Sequence, residues 1–255
     1  MTSFELKQII KQEFRNPIVI EGLPGIGNVG KIAIDFIVES IKAKKFLEIT
    51  SSTFPHSVFI NEDNLVDLPA INMYYKKIRS QEFIFIAGDV QPLDERSCHE
   101  FCNMVLDKLE KAQVKEIITL GGIGLPKIPK QPKVYLTANT NDMLTRYKTK
   151  EMEKEIFGVV GPIIGVSGLL VGLAKKRSIP AAAILAQTFG HPSYMGVKPA
   201  RELIKILSQK FNFNINLTAL DKEISELDLA TKASLLNLPG IQPKSLQPDK
   251  VSYIG

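Results

Sequence analysis

Short apolar runs alternate with amphipathic stretches of helical period along most of the chain, and no other feature constrains the fold as strongly. Strands that are apolar on both sides must be covered on both faces, and one-sided helices are what covers them. Ile18–Ile20, Phe46–Ile49, Ala70–Tyr75, Phe83–Ala87, Glu116–Leu120, Val134–Ala138 and Ala181–Ala186 read as strands. Gly27–Ser40 reads as a helix, with Val29, Ile32, Ala33, Phe36, Ile37 and Ile41 at helical spacing. Asp94–Gln113 is a second, with Cys98, Phe101, Cys102, Val105, Leu106 and Leu109 on one face and Asp94 as its expected N-cap. Leu169–Lys176, Ala200–Phe211 and Leu217–Leu236 complete the expected helices. Val58–Ile60 and Leu65–Asp67 flank the turn-rich Asn61–Asn64 and predict a hairpin. The strand at Glu116 is expected to stop at Gly121-Gly122, and Phe157–Ala174 to form a buried strand, a turn at Pro162 and a helix start. The class is α/β, with a mixed sheet between layers of helices.

The chain has 255 residues, enough for a core that needs neither disulfide nor structural metal. Residues 1–236 are expected to form one domain, and 237–255, with Pro239, Pro243 and Pro248, an extended tail. The two cysteines, Cys98 and Cys102, are too few for a disulfide framework and fit free thiols of a reducing cytoplasm. Met1–Phe14 has no continuous apolar core of the kind a signal peptide carries. Phe157–Ala174 is broken by Pro162 and five glycines, so no membrane span is expected and the chain reads as soluble and cytoplasmic. The formal charge is +5, but the lysines are scattered and no aromatic–basic interleaving accompanies them. Solvated lysine surface is therefore preferred to nucleic-acid binding.

Three local patterns carry candidate chemistry. Gly25-Ile26-Gly27-Asn28-Val29-Gly30 matches G-x-G-x-x-G between a strand and a helix, where glycines let a pyrophosphate reach the helix N-terminus. Two features oppose a dinucleotide: Glu21-Gly22-Leu23-Pro24 separates the expected strand from Gly25, and Glu48, the candidate ribose ligand, lies inside a strand. The alternative is a glycine-rich turn packed tightly on the sheet. Gly161-Pro162-Ile163-Ile164-Gly165-Val166-Ser167-Gly168 places Ser167 at a helix start, where an N-cap role is preferred over that of a nucleophile. Cys98 and Cys102, at i and i+4, could share a metal, but His99 points away and no third thiol is near, so core packing is preferred. His56 and His191 each adjoin a proline in a loop and gain no triad partner from the sequence.

Taken in order, these loops resemble a known family. The succession is Glu21–Lys31, Ser51–Val58, Ala87–Pro92, Leu120–Gly124, Gly161–Leu170 and Lys198–Ile204. It is similar to the proteasome assembly chaperone family in its archaeal branch, over residues 16–210. The resemblance implies a three-layer αβα sandwich related to nucleoside phosphorylases and hydrolases. It also implies subunit association as heterodimers or homo-oligomers, here expected as a homo-oligomer, and, as in characterised branches, binding to proteasome α-subunits. Some archaeal members have been grouped with ATP-grasp enzymes, yet no carboxylates with a basic clamp stand ready here for Mg-ATP. The family often docks through a C-terminal hydrophobic–Tyr–any motif. Tyr253, Ile254 and Gly255 are the matching partner-binding candidates, although Tyr253 is third from the end and follows Ser252. The expected function is thus a non-enzymatic protein-binding factor with no cofactor. The alternative is a nucleotide- or nucleoside-binding enzyme or sensor using Pro24, Gly25, Gly27, Asn28 and Gly30, with Gly121, Gly122, Gly165, Ser167 and Gly168.

Overall fold

The computed structural model describes residues 4–153, 155–158, 160–222 and 224–225. Residues 1–215 make one compact unit and 216–255 a second. In chain order the first contains β1 (Phe4–Gln8), β2 (Ile18–Gly22), a 3-10 turn (Ile26–Asn28), α1 (Val29–Ser40), β3 (Lys44–Ser51), β4 (Phe59–Ile60) and β5 (Val66–Asp67). It continues with β6 (Ile71–Ile78), β7 (Gln81–Gly88), α2 (Glu95–Lys111), β8 (Glu116–Leu125), β9 (Val134–Ala138), α3 (Asn141–Tyr147), α4 (Val166–Lys176), β10 (Ala181–Phe189) and α5 (Val197–Phe211). In the second unit residues 218–222 are helical, and Asn216 Oδ1 accepts from the Thr218 amide at 2.9 Å. Residues 224–225 are helical too, and the rest of the helix expected up to Leu236, like the tail, lies outside the described residues.

The main sheet runs β1-β3-β6-β7-β2-β8-β10-β9, with β2, β7, β8 and β10 mutually parallel in its centre. It is a mixed sheet between helical layers, as expected. Val19, Ile84, Ile86 and Ile117 meet Phe101, Cys102 and Val105 of α2 and Leu170 and Ala174 of α4 in one core. On the opposite face α1 packs with α5, Phe83 meets Phe211 and Phe213 edge-on, and Tyr147 of α3 meets Phe211. Strand residues of alternate parity therefore serve two cores, which is why these runs carry no polar face. The small hairpin β4–β5 pairs only with itself among the described residues.

Several expectations need correction. The β8 strand does not stop at Gly121-Gly122 but continues to Leu125, paired with β10 over nine positions from Ile117↔Ala181 to Leu125↔Phe189. A Cβ on Gly122 would stand 2.2 Å from the carbonyl oxygen of Ile26, so this glycine admits a crossing backbone rather than ending a strand. Strand β2 also runs on through Glu21 and Gly22, which leaves only Leu23-Pro24 before Gly25. No described residue between 155 and 165 belongs to a strand: Phe157 is 98% exposed, and Gly158 and Gly165 take positive φ values of 78° and 86°. Helix α1 starts at Val29, since Gly27 (φ 62°) and Asn28 (φ 50°) are left-handed. Strand β1 and helix α3 were not anticipated.

The cap of α2 is as expected: Asp94 is extended, and its Oδ1 accepts from the Ser97 amide at 2.9 Å. These hydrogen bonds from Ser97 hold the carboxyl below its usual range. Asp94→Ala is expected to lower Tm by about 2–4 °C, readable by calorimetry at neutral pH. An unchanged Tm would show that water replaces the cap.

Candidate functional site

The carboxyl ends of β2, β7, β8 and β10 lie at one end of the sheet, where open α/β sheets place their ligands. In this protein that end is knitted together by the glycine-rich segments themselves. Cβ atoms on Gly22 and Gly30 would stand 2.3 Å from the Gly30 oxygen and 2.4 Å from the Leu120 oxygen respectively. Helix α1 is thereby seated against β2 and β8. Gly27 lies against Thr188 of β10, and Gly168 of α4 against the Ile163 carbonyl. Of the glycines with candidate ligand roles, Gly25 alone has no atom of the described residues within 4 Å of where a Cβ would stand.

Two polar side chains complete the knot. Gln91, after β7, donates from Nε2 to the Pro24 carbonyl (2.7 Å) and accepts at Oε1 from the Val166 amide (3.2 Å), so it ties the turn after β2 to the first turn of α4. Lys31 donates to Asp35 Oδ2 (2.9 Å), Asp89 Oδ1 (3.1 Å) and the Gly88 carbonyl (3.2 Å), which fastens α1 to the end of β7. A single ammonium thus bridges two carboxylates where helix and strand meet.

At the centre is Glu21, fully buried near the end of β2. Its Oε1 accepts from the Leu23 amide (3.0 Å), and the Ser167 hydroxyl lies 3.3 Å from both Oε1 and the Leu120 carbonyl. The Oε2 atom has no hydrogen-bond partner among the described residues. Burial pushes the carboxyl up to about 7, against the opposing pull of Ser167 and Leu23. Beside it, Cys98 and Cys102 are buried free thiols. Cys102 donates towards Cys98, and this together with burial raises its pKa. Both thiols pack in the core, as expected.

The loops above the knot expose several large apolar side chains among polar ones. The loop after β2 exposes Ile26, and the loop after β7 exposes Leu93. Ile128 is exposed after β8, Met195 after β10 and Ile164 before α4. The connection after β3 exposes most: Val58, Phe59, Ile60 (73%), Leu65 (63%), Val66 and Leu68, all on or beside the β4–β5 hairpin. Strand β3 runs in the direction of β7, so this hairpin projects from the same end of the sheet. A groove of about 690 Å³ at its base is lined by Phe54, His56, Val58 and Leu68, with Thr50 and Ser52. Isolated exposed apolar residues are ordinary; a cluster borne by several loops at one end marks a candidate interaction surface.

The structure therefore gathers Pro24, Gly25, Gly27, Asn28, Gly30, Gly121, Gly122, Gly165, Ser167 and Gly168 at this one end. Ser167 is not the N-cap of α4, a position taken by Gly165; it is the helix's second residue and bonds inward to Glu21. Glu48 pairs with Lys45 and Lys7. Tyr253, Ile254 and Gly255 lie outside the described residues. Sequence reasoning passed over Glu21 and Gln91. A charged residue at the end of an otherwise apolar strand was the available signal for Glu21; Gln91 gave none.

Fold and site together define an α/β protein with a glycine-packed strand end beneath loops that expose apolar side chains. A model of the PAC2 family matches residues 19–233, and the chain belongs to that family. Among solved structures it is similar to Pyrococcus furiosus PbaB, described as an archaeal proteasome activator. The TM-score is 0.83 and the identity 29%, over 92% of this chain and 100% of that one. P. furiosus PbaA, described as an archaeal homolog of proteasome-assembly chaperone, shares the fold at a TM-score of 0.76 and 21% identity, over 91% of this chain and 92% of that one. The uncharacterized protein MJ1210 of Methanocaldococcus jannaschii is 25% identical over 96% of this chain and 94% of its own length. No helix among the described residues is long and apolar enough to cross a membrane.

Proposed function

We propose that this chain is a non-enzymatic protein-binding factor that self-associates and engages proteasome α-subunits. The observation that carries this reading is the exposed apolar cluster at this end of the sheet. Where an α/β enzyme collects polar groups around a ligand, this protein packs its glycine loops on one another and turns Ile60, Leu65, Leu93 and Met195 outward. Its similarity to PbaB supports proteasome subunits as the partner class. In this reading the glycine loops are the frame and the apolar loops the contact, with Tyr253, Ile254 and Gly255 as a further contact.

The test is native mass spectrometry of the full chain with its cognate proteasome core particle and with isolated α-subunit, at low and high salt. A complex is expected in both. An Ile60→Asp, Leu65→Asp double variant should bind about a hundredfold more weakly, because two apolar side chains leave the contact and exposed positions tolerate charge in the free protein. Absence of a complex at any salt overturns the proteasome reading. A nucleoside or nucleotide that raises Tm with the logarithm of its concentration would place the function with small molecules instead.

A further inference from the structure

The two edges of the main sheet are built differently. At one edge β1 carries Glu5 and Lys7, the charged residues with which proteins discourage strand-to-strand association. At the other, β9 reads Val134-Tyr135-Leu136-Thr137-Ala138, with no charge, no proline and no register shift against β10. Its backbone polarity can be read from its bonds. The Asn139 amide donates to Ala181 and the Lys133 carbonyl accepts from Gln187, so odd-numbered residues face β10. Even-numbered residues then face outward, and the Val134 carbonyl does accept from the Glu153 amide on that side. Leu136 and Ala138 follow along the same edge. Among the described residues no backbone group bonds to the outer side of either, and both are only half-buried.

We infer that β9 is a self-association edge, at which Leu136 and Ala138 pair antiparallel with the same strand of a second copy. The proposal rests on the self-association put forward above and assigns it a surface. With Val134 already covered by Met152 and Glu153, one antiparallel register uses both free residues: Leu136 opposite the partner's Ala138, and the reverse. That register maps onto itself about a twofold axis, as an isologous contact demands. It puts Thr137 opposite the partner's Thr137 on the axis, a favourable cross-strand pair with no like charges facing one another. It also carries Lys133, which pairs with Glu153 in its own chain, alongside the start of the partner's α3, one residue from the Arg146-paired Asp142, so no like charges meet there. The two sheets, each of eight strands, would join into one.

Two variants test this by sedimentation velocity and native mass spectrometry of the purified full chain over a concentration series. Ala138→Pro removes an amide hydrogen that faces outward, so the ladder to β10 survives while the seam loses one bond in each half. Dimer affinity is expected to fall by about tenfold or more. Thr137→Cys places two thiols across a non-hydrogen-bonded pair, within disulfide reach, and oxidation should yield a covalent dimer. The native cysteines are buried, so the unaltered chain should give no such product. A self-associating chain that ignores Ala138→Pro, and that forms no cross-link when it carries Thr137→Cys, overturns the β9 seam while leaving self-association standing. A chain that stays monomeric throughout the series overturns both.

Discussion

Replacing Glu21 by glutamine is expected to make the protein more stable above neutral pH and to remove much of its loss of stability between pH 5 and 8. Glu21 in the native state is raised to about 7, whereas in the unfolded chain it titrates near its ordinary value of 4.5. Between those values the folded protein holds a proton that the unfolded chain has released, so stability falls as pH rises. Below the unfolded value both states are protonated and nothing is lost; above the folded value the loss is complete. A separation of about 2.5 pH units corresponds to about 3 kcal/mol. Glutamine keeps an acceptor for the Leu23 amide and the Ser167 hydroxyl but never ionises. Urea unfolding of both proteins at pH 5 and pH 8 should give diverging curves. Parallel curves would mean that Glu21 ionises in the folded state as it does in water.

Gly30→Ala should destabilise the protein by about 2–3 kcal/mol, although alanine inside a helix ordinarily gains about 1 kcal/mol over glycine. The inversion comes from the main chain of β8: the added methyl would lie 2.4 Å from the Leu120 oxygen, and a strand in the middle of a sheet cannot yield. Gly25→Ala is the contrast. That residue is extended, at φ −161°, with open space where the methyl would go, so its effect should stay within about 0.5 kcal/mol. Chemical denaturation of the pair decides between a packing role and a ligand role for the loop. If both variants were as stable as the parent, the glycines would be free for a phosphate, and the alternative function would regain its footing.

Much of the central sheet was legible because its strands are apolar enough to need covering on both faces, and α2 because its buried face repeats at helical spacing. The missed elements lack those signals. Strand β1 buries only Phe4 of its five residues, and α3 only Met143 and Tyr147 of seven. Gly122 was misread because a glycine that ends a strand and one that lets another backbone pass over it look alike until the second backbone, here at Ile26, is in place. The knot was illegible for a related reason. Ser167 lies 146 positions from Glu21, and Gln91 lies 67 and 75 positions from the two segments it joins. The hairpin was readable as a hairpin, but nothing local told its apolar side chains apart from core residues.

The contrast between the knot and the hairpin bears on how such a protein can change over generations. A replacement at Gly30, Gly122 or Gln91 must be accommodated by segments far along the chain, so these positions can drift only in concert. Among the described residues the β4–β5 hairpin shares no strand pairing with the main sheet. Its side chains can be exchanged one at a time with little consequence for folding. If the hairpin is the contact proposed above, inheritance can retarget the molecule at its tip while the framework below stays as it is.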